Sequence, residues 1–265
     1  MAFRNANLAI HSIKFNSATS SDFLDMYTGL LDNEIKNKNE GPKQRTFAPS
    51  QMRCDRVSWF RLRGVQPDKI KEPDKTLSFT AEVGTSCHEN IQKRLIENLG
   101  KDWVTVQSWV DDNPMYFLDY DMDLDTSRGN ETLINMRHPY PVRFACDGIV
   151  RFKDKIRLLE IKTSEFSSWN DLIEPKPEHL DQIKCYSTLL HIPDVLFLYQ
   201  ERQYGGLKCF EVTVSETEQE ELRTRMSRIM ELVDACIAPD GLPVGDKWCS
   251  YNMCPYYKKC QEWGR

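Results

Sequence analysis

The sequence predicts an α/β fold: a mixed sheet with helices on its flanks. Three observations carry this. Residues 142–152 and 156–164 are rich in branched and apolar side chains and are joined by the short charged link "KDK", the mark of adjacent antiparallel strands. Helix-like and strand-like stretches follow one another through residues 177–237, an order that favours a sheet covered by helices. Residues 216–237 repeat apolar side chains at Leu222, Met226, Ile229, Met230 and Val233, the spacing of a long amphipathic helix.

Along the chain, residues 19–40 read as a helix capped by Ser20, with Phe23, Met26, Leu30 and Leu31 as its apolar stripe. "APSQMRCDRVSWFRLRG" reads as a second helix, starting at Ser50 and stopping at Gly64. "GTSCHENIQKRLIENLG" is a third, with His88, Ile91 and Leu95 on one face. "WVTVQSWV" and "MYFLDYDMDL" read as strands. Asp119, Asp121, Asp123 and Asp125 alternate, but a calcium loop needs a glycine where Leu124 stands, so an exposed strand edge is expected. "PEHLDQIKCYSTLLHI" is a helix, "VLFLYQER" and "LKCFEVTVS" are strands, and "APDGLPVGDKW" is a loop leading to the tail.

With 40% hydrophobic and 28% charged residues, the 265-residue chain has the composition of a soluble globular protein. No apolar run approaches the ~18 residues of a membrane helix, and the first residues lack a secretory signal, so a cytoplasmic protein with no membrane partner is expected. The net charge of −5 does not favour nucleic acid. Its distribution is compatible with a patch that follows a phosphate backbone, or equally with a solvated face, because residues 41–71 hold eight Lys or Arg against two acids. Arg53, Arg56 and Arg61 lie in that segment, and Lys258 and Lys259 in the tail.

Of nine cysteines, Cys87, Cys146, Cys185, Cys209 and Cys236 stand singly and read as core. Cys54 and the three of "CSYNMCPYYKKC", Cys249, Cys254 and Cys260, remain. The chain has no Cys-x-x-Cys, which counts against a zinc knuckle. It has no phosphate-binding loop of the Walker type, so it is not itself a helicase motor.

The chemistry concentrates in "CDGIVRFKDKIRLLEIKTS". Glu160 and Lys162 lie two apart on one strand and share a face, and Asp147 comes near that face if the strands pair. Two hard carboxylates suit Mg²⁺ or Mn²⁺, and a lysine beside them suits phosphodiester hydrolysis. Gln182 and Tyr186 share a face of the following helix by i, i+4 spacing.

Taken in order, His88 in "GTSCHENI", Asp147 in "ACDGIV", Glu160 and Lys162 in "LEIK", and Gln182 and Tyr186 in "QIKCY" resemble the RecB-like branch of the PD-(D/E)XK nucleases. The resemblance covers roughly residues 48–262 and implies a restriction-endonuclease-like core, with residues 1–47 as an N-terminal extension. It implies a DNA nuclease, an exonuclease acting on ends or single strands in recombination, repair or replication. A non-catalytic binding or assembly protein and an RNA nuclease are the alternatives. His88, Asp147, Glu160 and the Ile161 carbonyl would hold the metal. Lys162 would assist the water, with Gln182 and Tyr186 positioning DNA or bracing the site. Cys54 before the core and Cys249, Cys254 and Cys260 after it resemble the [4Fe-4S] ligands of AddB-type nucleases and CRISPR-associated exonucleases. Four residues separate Cys249 from Cys254 where those relatives often have two, and zinc is the alternative occupant. The implied partners are DNA, single-stranded or with duplex ends, and a separate helicase or recombination protein.

Overall fold

The computed structural model describes residues 17–39, 45–68, 75–127, 129–243 and 245–263. Residues 1–16 of the expected extension lie outside the described residues. The chain divides into two units, residues 1–42 with 71–79, and residues 43–70 with 80–265. In the smaller unit α1 (Ser17–Asn39) exposes Phe23, Met26 and Leu30 from its expected stripe. Among the described residues, no helix is long and apolar enough to cross a membrane.

The larger unit holds two sheets. The first has five strands in the order β1 (Trp103–Val104), β5 (Gly148–Phe152), β6 (Lys155–Ser164), β7 (Asp194–Glu201), β8 (Leu207–Thr213). It is mixed: β6 and β7 run parallel and the other pairs antiparallel. The second is antiparallel, with order β2 (Asp121–Asp125), β3 (Thr132–His138), β4 (Val142–Cys146). The β5–β6 hairpin turns through Lys153 and Asp154, both with positive φ, the backbone a two-residue hairpin turn requires.

Helices cover both faces of the five-stranded sheet. On one side Ile91 of α3 (Lys75–Leu99) packs with Val150, Leu159 and Ile161. On the other, α2 (Asp55–Leu62), α6 (Pro177–Leu190) and α7 (Glu216–Asp234) share a larger core with Leu158, Val195 and Phe197. The short α5 (Phe166–Asn170) lies between β6 and α6 in the chain. Period-two alternation along β6 therefore sends Ile161 toward α3 and Glu160 and Lys162 toward α6. In α7, Leu222, Met226 and Ile229 are buried, and Ser215 and Glu218 form a capping box at its start.

Several expectations need correction. "WVTVQSWV" gives a two-residue strand and then α4 (Val106–Asp112), because the Thr105 side chain accepts from the Ser108 amide and caps a helix. In "MYFLDYDMDL" only residues 121–124 lie in a strand, β2; Pro114–Tyr116 forms a 3₁₀ turn. β2 is an edge strand, and Asp121 and Asp123 pair with Arg137 across the surface. Strand β3 has no counterpart in the sequence reading. The stretch 142–152 is two strands in two sheets, and Asp147 alone links them. Phe47, placed in the extension, is fully buried and bridges to Val142. Cys209 and Cys236 are exposed rather than core: Cys209 lies on the edge strand β8, and Cys236 follows α7 with φ 60°.

Gly148 has a steric duty. A Cβ there would lie 2.4 Å from the Trp103 ring, so the indole needs the bare backbone. Gly148→Ala is expected to cost about 1–3 kcal/mol through displacement of Trp103 and β1, measurable by urea denaturation.

Candidate active site

Asp147 sits where the chain leaves one sheet for the other, and its two carboxylate oxygens do different jobs. Oδ2 accepts the Ile161 backbone N–H at 2.6 Å. Oδ1 lies 3.5 Å from His88 Nδ1, and Glu131 Oε1 lies 3.6 Å from the same nitrogen. One ligand atom from each of His88, Glu131 and Asp147 falls within 4.8 Å of the other two. Two carboxylates and an imidazole at that range form a donor set suited to a hard or borderline divalent ion such as Mg²⁺ or Mn²⁺.

Burial works against charging His88, but hydrogen bonds to Asp147 and Glu131 and their negative charge outweigh it, pushing the imidazole up to about 9. As a ligand it must be neutral, so metal uptake would release a proton.

Behind this group, Glu160 is almost fully buried and Lys162 is partly buried, and the two form an ion pair. Burial pushes the Glu160 carboxyl up, the Lys162 ammonium pulls it back, and Asp147 adds to the rise. Burial lowers Lys162, but the neighbouring carboxylates win and raise it. Gln182 of α6 completes the network. Its Oε1 accepts from Lys162 Nζ at 3.2 Å, and its Nε2 faces Glu160 Oε1 at 3.0 Å and the Tyr186 hydroxyl at 2.6 Å. Tyr186 is buried and stacks on Phe144 at 4.5 Å, so its position is that of a brace.

Two participants carry no sequence signal. Glu131 precedes β3 in "GNETLI", where an acid after a turn looks like any solvated loop residue. Gln92, one turn beyond His88 on α3, is fully buried and donates to the Asp147 carbonyl at 2.7 Å. It ties the helix bearing His88 to the junction bearing Asp147. Amphipathic spacing hides such a residue, because a buried polar group breaks the apolar pattern.

Cys54, Cys249, Cys254 and Cys260 line one cavity with Arg56, Phe60, Trp248 and Tyr256. Burial and the three neighbouring cysteines raise the Cys254 thiol to about 11. Among the described residues, the group around Asp147 is the only one of three or more His, Cys, Asp or Glu within 4.8 Å.

The basic residues are mostly engaged. Arg56, expected to bind DNA, is buried, and donates to the Pro239 carbonyl at 2.6 Å and toward Cys260 Sγ at 3.6 Å. Arg53 pairs with Asp181 at 3.0 Å and lies over Trp248. Arg61 donates to the Thr46 carbonyl at 3.2 Å. Lys259 pairs with Asp68 at 3.6 Å, and Lys258 lies over the Tyr251 ring. Segment and tail do adjoin, since the Asp68 amide bonds the Pro255 carbonyl at 2.8 Å.

No family model and no curated protein matches this chain. Among solved structures, it is similar to SSO0001, at 17% identity over 88% of this chain and 98% of that one, with a TM-score of 0.48. It is also similar to LHK-Exo in complex with dAMP, at 14% identity over 73% of this chain and 90% of that one, TM-score 0.43. A second structure of that alkaline exonuclease, from Laribacter hongkongensis, matches at 15% identity and TM-score 0.38 over the same shares.

Proposed function

We propose that this chain is a metal-dependent DNA nuclease, with an active site centred on Asp147, Glu160 and Lys162. The observation that carries the reading is the convergence of three carboxylates, an imidazole and a partly buried lysine around one strand junction. A buried ion pair is a costly way to stabilise a strand, and its position beside a cation-binding group gives it a use. His88, Glu131 and Asp147 would hold the ion, with Glu160 and the Ile161 carbonyl as further ligands. The bound divalent ion would supply Lewis acidity and lower the pKa of water. The protein's own part is order. Gln182 fixes the Lys162 ammonium, which is poised to orient a water and to offset charge on a phosphate. Gln92 and the Ile161 amide fix Asp147 from two sides.

The four cysteines are proposed to hold a [4Fe-4S] cluster. A cubane binds each thiolate to a different iron and so suits a wider spacing than zinc. The cluster would join α2 to the tail. Residues 1–47 are proposed as an extension to the nuclease domain, with Phe47 at its end anchoring it in the core, and a separate motor protein is proposed as a partner.

The test is degradation of end-labelled single-stranded DNA, duplex DNA and RNA with Mn²⁺ or Mg²⁺, using 5′- and 3′-blocked ends. DNA breakdown that stops when one end is blocked is the expected result. Breakdown of RNA alone would replace the substrate assignment. Binding of DNA without breakdown under any metal would replace catalysis with a scaffolding role.

A further inference from the structure

A second polar group lies beside Lys162. Tyr199 on β7 stands opposite Lys162 in the parallel β6–β7 register, so their side chains leave the same face of the sheet. The Tyr199 hydroxyl contacts His179 Nδ1 at 2.7 Å and accepts the Lys176 backbone N–H at 3.3 Å. His179 precedes Gln182 by three residues on α6, so both face the same side of the helix.

These contacts favour one tautomer. With the Tyr199 oxygen already receiving the Lys176 amide, its own proton is free to go to His179 Nδ1. Nδ1 is then the acceptor, and Nε2 carries the ring hydrogen. Burial, with the Lys162 and Lys176 charges adding to it, drives the imidazole down to about 3, so it is neutral. The side chain is half-buried, and among the described residues Nε2 has no protein partner.

An N–H close to two ammonium groups, on the helix face shared with the Lys162 partner Gln182, is a setting for an anion. We propose that His179 binds substrate, with Nε2–H donating to a non-bridging phosphate oxygen of the strand that lies against Lys162. This rests on the nuclease reading and adds a contact to it. Tyr199 is the positioning residue that fixes the ring. A neutral donor suits the place, because a third cation beside Lys162 and Lys176 would be repelled, whereas a polarised N–H adds direction without charge.

The test is fluorescence anisotropy of a labelled single-stranded oligonucleotide, with Ca²⁺ in place of a catalytic ion. His179→Phe keeps the ring and loses the donor, and is expected to weaken binding about tenfold. The slope of log affinity against log salt should stay as in the unaltered protein, because a neutral group releases no counterion; loss of a cation would lower it by about 0.7. His179→Gln, which restores an N–H, should bind within about twofold of the unaltered protein. Inorganic phosphate as competitor separates the two possible sources of the ligand. Displacement that disappears in His179→Phe identifies a free phosphate ion, and indifference to phosphate identifies strand phosphate. Unchanged affinity in a folded His179→Phe protein overturns the proposal, and so does a fall in its salt slope. If that variant does not fold, Tyr199→Phe removes a single oxygen and should weaken binding two- to fivefold; full affinity there also overturns it. Failure of the unaltered protein to bind any oligonucleotide would instead remove the nuclease reading.

Discussion

Glu160→Gln is expected to lower DNA breakdown at least a thousandfold while leaving DNA affinity in Ca²⁺ within a few-fold. The carboxylate and the amide have nearly the same shape, so packing is kept, and the introduced amide can still meet Gln182 and Lys162. What disappears is a negative charge held almost out of contact with water beside Asp147 and Lys162. Charges that are organised in advance in a poorly solvated site act on the transition state with little screening, and losing one group of this kind costs on the order of 10²–10³ in rate. Loss of an ion ligand would add to that. Lys162→Met should be equally inactive but also less stable, because Glu160 then keeps its burial and loses its counter-charge. Single-turnover assays and thermal melts on the two variants separate the effects. Activity within tenfold of the unaltered protein in both would remove Glu160 and Lys162 from the chemistry.

Cys54→Ser should strip iron from anaerobically purified protein and lower Tm by about 10 °C or more. A cofactor bound only by the folded chain contributes its binding energy to folding. Cys54 stands at the start of α2, and its proposed cluster partners lie beyond residue 248, so the loss falls on the docking of the tail. That docking has other supports, namely Phe60 stacked on Tyr256 at 5.1 Å and Trp59 edge-on to Trp263 at 5.3 Å. The tail should therefore loosen rather than unfold the sheets, and limited proteolysis should cut after residue 240 in the variant first. Cys209→Ser and Cys236→Ser serve as controls, because both thiols are exposed. Zinc with no iron in the unaltered protein would assign the other occupant. An equal Tm with no metal in either protein would remove the clip.

The parts readable in advance were those written in local periodicity. Alternation along residues 156–164 marked β6 and put Glu160 and Lys162 on one face. The 3.6-residue repeat marked α6 and α7 to within a few residues of their ends. Where one side chain redirects the chain, local pattern misled: the Thr105 cap turned an apparent strand into α4. The single residue Asp147 split one apparent strand between two sheets.

Residue types and short-range order grouped Asp147, Glu160 and Lys162, and the family resemblance added Gln182. They could not reveal Glu131 or Gln92, nor that Arg56 is consumed inside the fold. Those depend on which distant segments meet: β3 beside β4, α3 against the junction, and the tail over α2. The reason is physical. Strand and helix periods are properties of adjacent residues, whereas the partner of a buried charge is chosen by packing across tens to hundreds of residues.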